Sequence, residues 1–125
     1  MTTRRVLIIE DNPDAADALA MLLRAAGHDV TTALSGEDGL ERARHQSPDL
    51  VICDIRLTGG TDGLSVARRL RSDPATARTM LIALSGLSGP EERAGALAAG
   101  FDEFILKPAD PDKILHIVSS SAPSA

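Results

Sequence analysis

The segment VLIIEDNPDAADALAMLLRAAG, residues 6–27, joins a short apolar run to a helical pattern. Its first four residues are too few for a helix and favour β-structure, so they predict a buried strand. The later leucines and alanines recur at helical spacing, and Asn12 followed by Pro13 is typical of a helix start. Gly27 is typical of a helix end. The segment therefore predicts one strand followed by one amphipathic helix.

The same alternation repeats along the rest of the chain. Five strands alternating with five helices predict a parallel sheet covered on both faces, which is the α/β doubly wound class. A single domain is predicted, with its core over about residues 4–118 and a frayed tail over residues 119–125. The further strands are predicted at residues 28–33, 50–53, 80–84 and 104–106, and the further helices begin near Ser35, Asp62 or Gly63, Gly89 and Asp110.

Composition excludes several classes of function. The 13 basic and 18 acidic residues give a formal net charge of −5, which argues against binding to nucleic acid or to an anionic membrane. Two phenylalanines are the only aromatic residues, so stacking platforms for single strands are excluded. The one cysteine, Cys53, forms no internal disulfide, which favours a reducing, cytoplasmic setting. No apolar run is long enough to span a bilayer.

Polar residues follow four of the five predicted strands. Glu10 and Asp11 come after the first strand, Asp54 after the third, Ser85 after the fourth and Lys107 after the fifth. The carboxyl ends of parallel strands share one edge of the sheet, where ligands bind in open α/β folds. Carboxylates gathered there repel one another unless a cation balances them, and Mg²⁺ prefers such oxygen ligands. The sequence therefore predicts a magnesium site at this edge.

Lys107 and Ser85 extend the chemistry of this site. If the fifth strand lies two places from the third, the gap between them is roughly 10 Å, and a lysine side chain can cross much of it. Ser85 would offer a hydroxyl from the strand between. Together with the metal, these groups describe a site for a phosphoryl group on Asp54, acting as a carboxylate nucleophile.

Four motifs carry a resemblance to a known family. In this order and at these intervals, the chain resembles the receiver domain of two-component response regulators over about residues 4–118. The resemblance implies a flavodoxin-like, five-stranded parallel sheet in the order 2-1-3-4-5 with five helices. The motifs are Ile9-Glu10-Asp11, Cys53-Asp54-Ile55, Leu84-Ser85-Gly86 and Leu106-Lys107-Pro108.

The resemblance implies a role for each residue of the metal site. Asp54 matches the phosphoacceptor, and Asp11 matches a direct ligand of Mg²⁺, for which Mn²⁺ can substitute. Glu10 matches an acidic residue that acts through water. Arg56 matches the position whose backbone carbonyl completes the metal site.

It also implies how the phosphoryl group is recognised. Ser85 matches the switch hydroxyl and Lys107 the phosphate-binding lysine, with a cis bond between Lys107 and Pro108. Phe104 matches an aromatic residue that swings between outward and inward rotamers. The shift would alter the face made by the fourth helix, fifth strand and fifth helix.

The implied function is that of a phosphoacceptor in a phosphorelay. The donor would be a phosphohistidine on a histidine kinase or a histidine phosphotransfer protein, and a downstream protein effector would read the output face. The chain would be a stand-alone regulator or the receiver of a hybrid kinase, and a monomer or weak dimer. It would not be an enzyme beyond slow self-phosphorylation and self-dephosphorylation.

Two other functions remain open. One is a magnesium-dependent phosphatase or phosphotransferase, which also uses an aspartate nucleophile after a strand. Such enzymes typically carry a second Asp two residues after the nucleophile, where this chain has Arg56. An inert pseudo-receiver that only binds a partner is the other alternative, and the complete set of site residues argues against it.

Some residues outside the motifs also carry expectations. The loop after Asp54 is longer and richer in glycine than is common in receivers, so it is expected to be looser. Arg56 is expected either to shield the phosphate or to pair with Glu10. Cys53 is expected to be a small buried residue. Three histidines, His28, His45 and His116, are expected to be structural or superficial, and three arginines, Arg68, Arg69 and Arg71, to form the solvated side of the third helix.

Overall fold

Five strands alternate with five helices in the computed structural model, which describes residues 3–87 and 89–120. The alternation predicted from the apolar runs is confirmed. The elements are β1 Arg5–Ile9, α1 Pro13–Ala25, β2 Asp29–Ala33, α2 Gly36–Gln46, β3 Leu50–Asp54, α3 Gly63–Ser72, β4 Met80–Ser85, α4 Pro90–Ala99, β5 Glu103–Leu106 and α5 Pro111–Ser120.

All five strands form one parallel sheet in the order β2-β1-β3-β4-β5. This is the order that the resemblance implied. β2 lies on one side of β1, and β3, β4 and β5 follow in turn on the other side. The direction in which strands are added therefore reverses between β1 and β3. A crevice opens at such a reversal, at the carboxyl ends of the strands. The fold therefore creates its ligand position next to the last residues of β1 and β3.

Successive strand residues alternate between two apolar layers, as the period of a strand requires. Leu7, Ile9 and Val51 belong to a core on the face covered by α2, α3 and α4. Ile8 and Ile52 belong to a second core, on the opposite face. Since both faces are covered, the central strands β1, β3 and β4 are apolar along most of their length, whereas the edge strand β2 carries Thr31 and Thr32 in its middle.

The helix starts follow the expected capping residues. Asn12 Oδ1 accepts hydrogen bonds from the backbone nitrogens of Asp14 and Ala15, at 3.0 and 3.2 Å. Ser35 and Asp62 cap α2 and α3 in the same way. The predicted helix starts are therefore confirmed at these positions.

The predicted tail begins too early. Ser119 and Ser120 are the last residues of α5, and their hydroxyls donate to the carbonyls of Leu115 and His116, at 2.8 and 2.6 Å. These bonds to carbonyls one turn earlier keep small polar residues within the helix. Residues 121–125 lie outside the described residues.

Arg71 is not solvated, so its predicted place on the exposed side of α3 is wrong. Its guanidinium donates to the carbonyls of Gly100, Ala77 and Thr79, at 2.9, 3.0 and 2.6 Å, and to Asp102 Oδ2 at 2.6 Å. It therefore connects the end of α3 to the segments that enter β4 and β5. Arg68 and Arg69 are exposed, as expected.

Cys53 and His28 are both buried, and burial affects their titration. Burial holds the pKa of the Cys53 thiol well above its ordinary value, so the side chain is a neutral part of the core. His28 Nδ1 accepts a hydrogen bond from the backbone nitrogen of Arg4 at 3.0 Å, and burial lowers its pKa. Over residues 3–87 and 89–120, no helix has the length and apolar character needed to cross a membrane.

Candidate functional site

Three carboxylates meet where β1 and β3 end. Glu10, Asp11 and Asp54 each place a carboxylate oxygen within 4.8 Å of the others. Glu10 and Asp54 are only 5% and 6% exposed, whereas Asp11 is half-buried. The sheet edge predicted from the sequence therefore brings the three acidic residues together.

Lys107 balances the two buried carboxylates. Its Nζ lies 2.7 Å from Asp54 Oδ2 and 3.1 Å from Glu10 Oε2. Burial alone would lower the pKa of Lys107, but the hydrogen bonds to Asp54 and Glu10 outweigh it and raise the pKa. Burial raises the pKa of Glu10, and the bond from Lys107 opposes that rise. The ammonium thus stays charged and shared between the two acidic side chains.

The backbone around Lys107 sets its direction. Its nitrogen donates to the carbonyl of Ser85 at 2.7 Å, which continues the pairing of β5 with β4 beyond Leu106. The bond between Lys107 and Pro108 is cis. The Lys107 side chain leaves the end of β5 and passes β4 to reach Asp54.

Asp11 is held by a residue that the sequence reasoning missed. Asp11 Oδ2 accepts hydrogen bonds from the backbone nitrogen and the hydroxyl of Thr58, at 2.9 and 2.7 Å. These two bonds lower the pKa of Asp11. Thr58 belongs to the long loop after β3, so that loop is fastened to the acidic cluster at this point. A hydroxyl residue four positions after Asp54 was the only signal in the sequence.

The other end of the same loop is fixed by a close approach of backbones. The nitrogen of Gly63 donates to the carbonyl of Ile55 at 2.9 Å. A Cβ at Gly63 would collide with the carbonyl oxygen of Asp54 and with Cα of Ile55. Glycine is therefore required where α3 begins, directly behind the candidate phosphoacceptor.

Arg56 contacts the site through its backbone and a helix through its side chain. Its nitrogen donates to Asp54 Oδ1 at 3.1 Å. Its guanidinium lies 3.7 Å from Glu92 Oε1 in the first turn of α4. The predicted pairing with Glu10 is wrong, because Lys107 holds Glu10 while the Arg56 side chain extends to α4.

Ser85 and Phe104 lie beside the acidic cluster rather than in it. The Ser85 hydroxyl donates to the carbonyl of Leu87 and accepts from its nitrogen, at 3.0 and 3.1 Å. Phe104 is buried in the core on the side of α2 and α3, and the guanidinium carbon of Arg93 lies 5.9 Å from its ring centroid. Both residues come from strands on the β4 and β5 side of Asp54.

The donor set fits a hard divalent cation. Three carboxylates that meet at one point offer the oxygen ligands that Mg²⁺ prefers, and the ion would retain water or phosphate in its remaining positions. The buried carboxylate of Asp54 is at once a candidate ligand, a partner of Lys107 and a nucleophile. This arrangement can neutralise the charge of a phosphoryl group brought to Asp54.

Comparison with known proteins defines the family. The family model described as "Response regulator receiver domain" matches residues 6–119, so the chain belongs to the family of response regulator receiver domains. The acidic cluster fits the phosphoacceptor site of that family. Its members are phosphoacceptor signalling domains rather than classical enzymes, and they interact with histidine kinases and effector domains.

Individual relatives agree with this. A gliding motility regulatory protein of Myxococcus xanthus is 39% identical over 103 residues, which are 82% of this chain and 13% of that protein. The crystal structure of a putative response regulator from Chloroflexus aurantiacus superposes with a TM-score of 0.88 at 30% identity, covering 94% of this chain and 96% of that one. This chain spans 13% to 46% of the length of three curated relatives that it matches.

One solved neighbour bears on the metal. The receiver domain of a sensor histidine kinase from Pseudomonas aeruginosa has a TM-score of 0.85 at 28% identity, covering 94% of this chain and 96% of that one. That structure is described with a magnesium ion coordinated in its active site cleft.

Proposed function

We propose that Asp54 accepts a phosphoryl group from a phosphohistidine on a histidine kinase or a histidine phosphotransfer protein. The observation that carries this proposal is the contact of Lys107 Nζ with Asp54 Oδ2 at 2.7 Å, inside a cluster of three carboxylates. A lysine shared by buried carboxylates is positioned to bind the oxygens of an incoming phosphoryl group.

The chain's own residues have distinct parts in the transfer. A carboxylate oxygen of Asp54 forms the new bond to phosphorus while the P–N bond breaks and the histidine nitrogen leaves with its electron pair. Glu10, Asp11, Asp54 and the carbonyl of Arg56 would hold Mg²⁺, or Mn²⁺ in its place, and the ion would neutralise charge on the phosphoryl oxygens. The ammonium of Lys107 binds an oxygen of the phosphoryl group on Asp54.

The output of the transfer is a change at the α4, β5 and α5 face. Ser85 turns its hydroxyl from Leu87 towards a phosphoryl oxygen, and Phe104 changes rotamer to follow it. The exposed side chains of Leu97 and Leu106, on α4 and β5, give a downstream protein effector an apolar surface to contact. Self-phosphorylation and self-dephosphorylation at this site are slow.

The proposal extends to the setting of the domain. The core, which continues to the end of α5 at Ser120, acts as one receiver module in the cytoplasm, either as a stand-alone regulator or within a hybrid kinase, and as a monomer or weak dimer. The fit of one family model to residues 6–119 supports a single module.

The phosphatase alternative is less well supported. It would need a carboxylic acid two residues after Asp54, and that position holds Arg56, whose side chain reaches Glu92 rather than Asp54. The pseudo-receiver alternative is also less well supported, because an inert site would not require Lys107 and the three carboxylates to lie in contact.

Intact mass after incubation with acetyl phosphate and Mg²⁺ tests the proposal. We expect one added phosphate that is labile to base, and no addition in Asp54→Asn. The matched control is Asp17→Asn, which removes an exposed carboxylate from α1 and is expected to accept phosphate like the wild type. Equal uptake by Asp54→Asn and the wild type would overturn the assignment of Asp54.

A further inference from the structure

We infer that Arg56 exchanges its ion pair with Glu92 for the phosphoryl group on Asp54, and that this exchange releases the first turn of α4. The inference rests on the proposed function and adds to it a residue that binds the phosphoryl group and a path from that group to α4. It is based on the position of Arg56, whose backbone nitrogen contacts Asp54 while its side chain contacts Glu92 on α4.

The first turn of α4 is weakly held. Gly89 stands at its N-cap position and provides no side-chain hydrogen bond to the helix. Pro90, Glu91 and Arg93 are exposed and Glu92 is half-buried, whereas the buried residues of the helix lie later, at Ala96 and Ala99. A helix end with little burial and no side-chain cap opens more readily than the rest of the helix.

Two charged side chains of this turn reach other elements. Glu92 Oε1 lies 3.7 Å from Arg56, two residues after the candidate phosphoacceptor. Arg93 lies over the ring of Phe104 on β5, at 5.9 Å from its centroid. The first turn of α4 is therefore connected to Arg56, beside the candidate phosphoacceptor, and to Phe104, which is expected to change rotamer.

Arg56 can reach the phosphoryl group without a large backbone movement. Its nitrogen lies 3.1 Å from Asp54 Oδ1, which places its Cα within about 4.6 Å of that oxygen. The arginine stem is longer than this separation, and its guanidinium matches phosphate oxygens in a bidentate geometry. The side chain is 65% exposed, so a change of rotamer meets little packing resistance.

Charge decides which partner Arg56 keeps. A phosphoryl group at neutral pH carries about −1.5 to −2, whereas Glu92 carries a single negative charge. The pair with Glu92 is also solvent-accessible on both sides, at 65% and 34% side-chain exposure, and such pairs are weak. Once Asp54 is phosphorylated, the stronger anion takes the guanidinium and Glu92 loses its partner.

Amide hydrogen exchange of residues 93–96 measures the release. These amides donate to the first carbonyls of α4, as Arg93 does to Gly89 at 3.1 Å. Phosphorylation with acetyl phosphate and Mg²⁺ is expected to speed their exchange about two- to fivefold, the range of one exposed ion pair. Glu92→Gln is expected to show the faster exchange before phosphorylation and little further change after it.

Matched variants separate the ion pair from other effects. Glu91→Gln removes a carboxylate from the same turn without touching Arg56, so it loses the same interaction with the helix N-terminus but is expected to keep the wild-type response to phosphorylation. Arg56→Gln is expected to exchange fast in both states, and Arg56→Lys to restore part of the difference between them. The phosphoryl mimic beryllofluoride is expected to bind Arg56→Gln more weakly and Glu92→Gln more tightly than the wild type.

The outcomes distinguish this inference from the function beneath it. If no phosphate adds to the wild type by mass, the proposed function fails. If phosphate adds but the exchange of residues 93–96 is unchanged, or Glu92→Gln still responds like the wild type, the ion-pair exchange is wrong while the phosphoacceptor role stands.

Discussion

Lys107 Nζ donates to Asp54 Oδ2 at 2.7 Å, although Asp54 ends β3 and Lys107 follows β5, with β4 between the two strands. Its ammonium also contacts Glu10 at 3.1 Å, so one side chain balances two buried carboxylates. The lysine therefore occupies the side of Asp54 on which positive charge would bind a phosphoryl group. When no phosphoryl group is present, this ammonium already neutralises part of the carboxylate charge that a metal ion would otherwise balance.

Removing this ammonium is expected to increase the effect of magnesium on stability. Lys107→Met leaves the carboxylates of Glu10 and Asp54 without their shared cation, and the free energy of unfolding should fall by about 1–3 kcal/mol without metal. Mg²⁺ should then raise the Tm of the variant more than that of the wild type, because binding to the folded state stabilises it. Scanning calorimetry with and without Mg²⁺ measures both.

Lys113→Met is the control for this experiment, since Lys113 is an exposed lysine on α5. Its response to Mg²⁺ should equal that of the wild type. A Lys107→Met variant with no larger response than the control would show that Lys107 does not balance the metal-binding carboxylates.

Stability is expected to fall as the pH drops below the ordinary pKa of histidine because of His28. Its Nδ1 accepts from the backbone of Arg4, and burial lowers its pKa from the ordinary value of about 6.5. The unfolded chain then binds a proton that the folded chain does not, so the contribution is fully present above that pH and decreases below it. Urea denaturation between about pH 5 and 7 measures this loss.

In His28→Gln the pH dependence over this range should become flatter, whatever the absolute stability of the variant. His116→Gln changes an exposed histidine of α5 and should retain the wild-type slope. If His28→Gln kept the full slope, another group would be responsible.

Glycine at position 63 is expected to be required for the loop behind Asp54. Gly63→Ala puts a Cβ against the carbonyl oxygen of Asp54, and the overpacking should destabilise the fold by about 1–3 kcal/mol. Gly95→Ala is the matched control, because a Cβ there has nothing within 4 Å and it lies inside α4. It should stabilise the protein by about 0.5–1 kcal/mol. Equal denaturation midpoints for both variants and the wild type would contradict the close approach.

Regular patterns explain why so much of the fold and the site was predictable. A parallel sheet buries its strands on both faces, so apolar runs mark them and polar residues mark their carboxyl ends. That rule alone places Glu10, Asp54 and Lys107 at one edge, and their contacts agree with it. The strand order came from the family resemblance, because alternation of strands and helices does not determine it.

The remaining contacts depend on side chains that follow no period. Thr58 reaches Asp11 because of the path of a loop, and loop paths are not encoded in apolar spacing. Arg71 was expected in solvent because it is charged, but three carbonyls from the two segments that lead into β4 and β5 converge on it. The pair of Arg56 and Glu92 likewise joins a loop to a helix across a distance that the sequence does not reveal.

The position of the phosphoryl group tests the assignment of Asp54 most directly. The wild-type chain is treated with acetyl phosphate and Mg²⁺, reduced with borohydride and cleaved into peptides for sequencing by mass spectrometry. Reduction of an aspartyl phosphate leaves homoserine, which we expect at position 54 alone, dependent on Mg²⁺ and lost with a chelator. Label at another carboxylate, phosphate retained on Ser85 or Thr58, or no modification at all would contradict this assignment.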